Sequence, residues 1–203
     1  TMDWMREVAR PWSLDLVADV TGMERQRVAS LEPLAAAAFE AAARATRPVP
    51  TDEHRRAVTA VAQALPAGVD PQAFVALTQS LPALLSTVWS HLVRDAHCWA
   101  KARARLPLTP ERVDDLLRIG SPVEVLFRTA VRDTDVAGTG VPAGASLALG
   151  VGAAQRDRPG AVLTFGSGPH RCPGIALIRT CMRVVTTALL EAFPHAEPAA
   201  GAR

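Results

Sequence analysis

Phe165-Gly166-Ser167-Gly168-Pro169-His170-Arg171-Cys172-Pro173-Gly174, followed by Ile175-Ala176-Leu177-Ile178-Arg179, is the most specific stretch of the chain. A glycine-rich loop here runs directly into an amphipathic helix expected to reach Phe193. A cysteine at a helix N-terminus lies beside unpaired backbone N–H groups and the positive end of the helix dipole, and both favour thiolate over thiol. That places Cys172 as a soft anionic metal ligand. Two competing readings are weaker. A phosphate loop needs Lys-Ser/Thr where Cys172 stands. A zinc site built on His170 and Cys172 lacks a second ligand pair at ordinary spacing. The other cysteines, Cys98 beside His97 and Trp99, and Cys181 on the last helix, read as small buried hydrophobes.

The order Phe-Gly-x-Gly-x-His-x-Cys-x-Gly before a helix resembles the haem-ligand loop of the cytochrome P-450 superfamily, and all six fixed positions are filled. The resemblance implies haem (iron protoporphyrin IX) as cofactor, with Cys172 as the iron ligand. It further implies cofactor contacts from Phe165, Gly166, Gly168, His170 and Gly174. Phe165 would pack on the ring edge and His170 would donate to a haem propionate. The glycines would let the backbone run against a flat macrocycle and take the φ values that a tight loop requires.

The likeness continues upstream. Asp115-Leu-Leu-Arg118 stands where the family carries a Glu-x-x-Arg ion pair, with a carboxylate one methylene shorter. The alternatives are a buried pair or an ordinary exposed i,i+3 pair, and the buried one is favoured. The resemblance makes Arg128 the natural propionate partner. Gln155-Arg156-Asp157 resembles the family's Asn-Arg-Asp. Alignment on Leu92-Val93-Arg94 puts Gln79-Ser80 where the family carries a proton-delivering acid–alcohol pair, so these two are the catalytic candidates. Ser80 can donate a hydrogen bond and Gln79 cannot titrate. The bland alternative is two polar residues on a helix face. The family's members are longer, and only Arg158 to Thr164 separate Asp157 from Phe165, where the family has a longer meander.

Composition narrows the classes. Thirty-eight alanines favour helix. A net charge of +2 leaves no broad footprint for nucleic acid. No uninterrupted apolar run reaches the roughly 18 residues of a membrane span, no secretory signal is visible, and three widely spaced cysteines make no disulfide framework. The expectation is a cytoplasmic protein without nucleic-acid or membrane partners.

The fold expected is mainly α with a small β region, a truncated cytochrome P-450-like domain over 1–203. It divides into a helical part (1–119), the β region (120–164), the loop and its helix (165–193) and a tail (194–203). Ser13 is expected to cap a helix from Leu14 to Thr21, and Pro33 to bend or split one from Met23 to Ala45. A loop follows at 47–50, and Thr51 is the next cap. Asp70-Pro71 opens a long helix to about Val93 that Pro82 should kink. Thr109-Pro110 opens another to about Ile119. Residues 122–131 and 141–149 alternate as strands about a turn at Gly138 and Gly140.

Two functions of different class follow. One is a haem-thiolate enzyme, monooxygenase-like, oxidising a small organic molecule of secondary-metabolite type. It would be fed by a ferredoxin-type donor or peroxide, or run a redox-neutral cyclisation or dehydration. A proximal face built on Arg171, Arg179 and Arg183 would dock the donor, and a second copy or another chain would cover the open haem face. The other is a non-catalytic helper of the same fold, for example for a glycosyltransferase.

Overall fold

A computed structural model describes residues 2–43, 51–157 and 162–199. The expected loop at 47–50 and the last residues of the tail lie outside these ranges.

Proline and capping residues set the helix boundaries. Helix α2 (Arg25–Ala43) runs through Pro33 without splitting. Thr51 caps α3 (Asp52–Ala64) by accepting from His54 N–H, Asp70 caps α4 (Pro71–Val75) through Ala73 N–H, and Thr109 caps α7 (Pro110–Ile119) through Arg112 N–H. Ser13 does not cap. A π turn, Trp4–Ala9, leads straight into α1 (Arg10–Thr21), which leaves Ser13 buried inside the helix with its hydroxyl unpaired. The chain is thus already helical before Pro11, and Ser13 meets no free helix end to cap.

The same device recurs in the long helix. After α4 comes a π turn, Ala76–Ser80, then α5 (Leu81–Val93) with Pro82 in its first turn. In both places the residue just before the proline donates its N–H five residues back, Arg10 to the Met5 carbonyl and Leu81 to the Ala76 carbonyl. A proline ring crowds the carbonyl four residues earlier. Widening the preceding turn relieves that crowding, so the break expected at Pro82 takes the form of a π turn.

By length and composition the Pro71–Val93 helix could cross a membrane, although no uninterrupted apolar run of that length exists in it. In this fold it is the axis of the interior. Phe74 belongs to one apolar cluster with Val17, Val28, Ala35 and Val61. Leu81, Leu85, Val88 and Trp89 belong to the other, with Leu117, Met182 and Leu190. Leu77, on the π turn, packs against both. Trp89 is 1% exposed and donates its indole N–H to Thr186 at 3.1 Å, so the largest core side chain leaves no orphan donor.

Helix α6 (Ala96–Arg103) buries Trp99 and leaves Cys98 exposed, which corrects the reading of Cys98 as a buried hydrophobe. Cys181 is buried as expected, and all three cysteines are free. The β region holds two antiparallel pairs: β1 (Val125–Thr129) with β4 (Ser146–Gly150), and the hairpin β2 (Thr134–Val136) with β3 (Thr139–Val141). Ala137 and Gly138, at φ 52° and 83°, make the hairpin turn. Helix α8 (Val151–Asp157) and the long α9 (Ile175–Ala192) complete the chain.

Candidate functional site

The loop before α9 is built from backbone hydrogen bonds. Gly166 N–H donates to the Leu163 carbonyl at 2.8 Å and Arg171 N–H to the Gly168 carbonyl at 3.1 Å. Cys172 N–H donates to the Phe165 carbonyl at 2.9 Å. Gly166 and Gly168 take φ values of 69° and 74°, which a side chain would strain. A short 3-10 turn, Gly168–His170, leaves His170 exposed. Phe165, 9% exposed, sits in the main apolar cluster, and half-buried Cys172 packs against that cluster.

Cys172 precedes α9 by three residues, and no side chain caps that helix. As in any helix, the first-turn N–H groups have no intrahelical partner, and here no capping side chain takes them up either. A Cβ on Gly174 would lie 3.7 Å from Cys172 Sγ, so the glycine leaves the sulfur's surroundings clear. Among the described residues no three His, Cys, Asp or Glu side chains gather as a metal cage. A single soft donor on an uncapped helix start suits a group that brings its other ligands with it, which is how haem is held. The residues present fit haem.

The remaining predicted residues sit apart from the sulfur. Gln79 and Ser80 are half-buried on the π turn of the long helix. Gln79 Nε2 donates at 3.2 Å to Glu32, whose carboxylate is 7% exposed and also receives Arg10. Arg128 is exposed on β1, its guanidinium turned back to the Phe127 carbonyl at 2.7 Å. The Asp115–Arg118 pair forms at 3.4 Å, but Asp115 is 52% exposed and Arg112 reaches it at 3.5 Å, so the favoured buried pair is not what the structure holds. Arg118 Nε is buried and has no partner among the described residues.

Several contacts near the loop are invisible to sequence reasoning. Arg179 clasps Asp114 through two bonds of 2.7 and 2.9 Å, joining α9 to α7. Gln155, 4% exposed, accepts from the N–H groups of Leu163 at 2.8 Å and Thr164 at 2.9 Å. The Thr164 hydroxyl donates to the Leu117 carbonyl at 2.7 Å. An approximately 380 Å³ cleft opens between Val17 and Val20 on α1, Leu77 on the π turn and Leu177 on α9.

No family model matches the chain. Cytochrome P-450 105C1 of a Streptomyces species is 43% identical over 111 residues, 47% of this chain and 29% of its own length. Cytochrome P-450 130 of Mycobacterium tuberculosis is 38% identical over 105 residues, 44% of this chain and 26% of its own. The chain thus spans between a quarter and a third of these relatives. Among solved structures, P450BioI in complex with an acyl carrier protein ligated to hexadec-9Z-enoic acid superposes with a TM-score of 0.78. That match covers 95% of this chain and 62% of the other at 22% identity. The architecture is that of these proteins, helical with a small sheet region.

Proposed function

We propose, proceeding from the chain's membership of the cytochrome P-450 superfamily, that Cys172 holds haem iron as a thiolate and that the protein oxidises a small organic molecule. Cytochromes P-450 are haem-iron proteins. The supporting observation is the loop itself. Its six matched residues, two of them glycines at positive φ, bring Cys172 to the uncapped start of an 18-residue helix. Haem held by the Cys172 thiolate would supply the oxidising chemistry, its reactivity tuned by electron donation from the sulfur.

The chain's residues divide the remaining work. Gly166, Gly168 and Gly174 keep side chains off the backbone that faces the group. Phe165 fixes the loop to the main core. His170 and Arg128, both exposed, are the residues that would hold its carboxylates. On the long helix, Ser80 Oγ is the hydroxyl available to donate a proton. Gln79 does not titrate and its amide is committed to Glu32. Proton delivery is accordingly weak, and peroxide supports turnover better than a ferredoxin-type donor with oxygen does. The substrate class is a small organic molecule of secondary-metabolite type.

The test is an absorption spectrum of haem-supplied protein in ferric, ferrous and carbon-monoxide-bound states. A strongly red-shifted carbon monoxide complex is expected, lost in Cys172→Ala while far-UV circular dichroism is unchanged. Persistence of the wild-type spectrum in that variant rejects Cys172 as ligand, and absence of haem uptake by folded protein rejects the enzyme reading. Faster haem loss is expected for His170→Ala and Arg128→Ala. Equal turnover with reductase and with peroxide would overturn the assignment to Gln79 and Ser80.

A further inference from the structure

The segment entering the loop, Leu163-Thr164, is held by a residue that the function above does not use. Gln155 lies on the short helix α8 and is 4% exposed. Its side-chain oxygen receives two backbone N–H groups, Leu163 at 2.8 Å and Thr164 at 2.9 Å. Those donors fix the orientation of the amide, since only its oxygen can accept them. Two lone pairs are thereby filled. The Thr164 hydroxyl, also 2.9 Å from that oxygen, has the shorter 2.7 Å bond to the Leu117 carbonyl for its single proton. Among the described residues the amide nitrogen, also buried, has no partner.

The bonds run on without a gap. Leu163, pinned through its N–H, offers its carbonyl to Gly166 N–H at 2.8 Å, and the next residue but one, Phe165, offers its carbonyl to Cys172 N–H at 2.9 Å. The position of the cysteine backbone is therefore set from α8 through Gln155 and from α7 through the Thr164 hydroxyl. We infer that Gln155 is a positioning residue for the Cys172 sulfur, acting through the Leu163-Thr164 backbone. The inference rests on the haem-thiolate reading for its purpose, although its geometry is independent of haem.

The experiment uses three proteins in a Cys98→Ser background: the parent, Gln155→Met and Gln155→Glu. Methionine keeps the length and removes the acceptor, whereas glutamate keeps an oxygen in the same place. Two readouts are taken. The first, without haem, is the rate at which Cys172 reacts with a disulfide reagent. The second is the share of the carbon monoxide complex in the red-shifted form. Gln155→Met, which removes the acceptor of two backbone N–H groups, is expected to change the thiol rate by about tenfold or more and to lower the red-shifted share, while Gln155→Glu stays close to the parent in both. A Gln155→Met protein matching the parent, or a Gln155→Glu protein as impaired as Gln155→Met, overturns the role. If the parent takes up no haem, the haem-thiolate reading fails and the thiol rates still decide this one. If Gln155→Met does not fold, hydrogen exchange in the parent decides: slow exchange at the Leu163 and Thr164 amides supports the latch, and free exchange overturns it.

Discussion

At Gly168 the chain takes a φ of 74° with nothing within 4 Å of where a Cβ would stand, so replacement meets backbone strain and no clash. Gly168→Ala should therefore cost about 1–2 kcal/mol, the penalty of a left-handed residue carrying a Cβ, read from the shift of the denaturation midpoint. The glycines of the loop before α9 are legible because a motif states them by type and spacing. Gln155 was not. Its partners, Leu163 and Thr164, are eight and nine residues further along the chain, and nothing in local spacing says that an amide oxygen will meet those N–H groups. The Asp115–Arg118 pair misled for a related reason. An i,i+3 spacing guarantees that the two side chains can meet, but their burial depends on what packs over them, and here Asp115 is left half in solvent.

Between elements, Gly120, just past the end of α7, lies hard against α5. A Cβ on Gly120 would fall 2.2 Å from Val88 Cγ2 and 3.1 Å from the Val88 backbone nitrogen on α5. Gly120→Ala should destabilise by about 1–3 kcal/mol through overpacking. Val88→Ala in the same chain should recover part of that loss, and strictly additive midpoints in a double-mutant cycle would show that the two helices do not meet there. Helix starts were readable from sequence because capping is local: Thr51, Asp70 and Thr109 each bond an N–H within three residues. The π turns were not readable. Proline announces trouble in a helix, but spacing alone does not say whether the helix kinks, splits, widens or, as at Pro33, runs on.

For the molecule as a whole, the buried thiol of Cys181 reports on unfolding. Desolvation pushes its pKa above the ordinary 9.0, so the folded state favours the neutral thiol. Its contribution to stability is complete below the unfolded-state value and is lost as pH rises through the folded-state value. Melting temperature should fall above pH 9 with a shallower slope in Cys181→Ala than in the parent, and identical slopes would sink the assignment. Alkylation should label exposed Cys98 and half-buried Cys172 in the folded protein, and Cys181 only once denaturant opens the core.

The widened turn at Ala76–Ser80 also bears on how the interior tolerates change. Each residue in an α-helix advances about 100° around the axis, so a rigid rod would oblige Phe74 and Trp89 to point in directions fixed by their separation alone. The wide turn acts as a phase adjuster between them. One half of the rod can be aimed at α1, α2 and α3, and the other at α7 and α9, without a shared angular setting. Removing a single residue from the turn would rotate one half against the other by about 100°, so spacing within 76–80 is constrained more tightly than the identity of its exposed side chains.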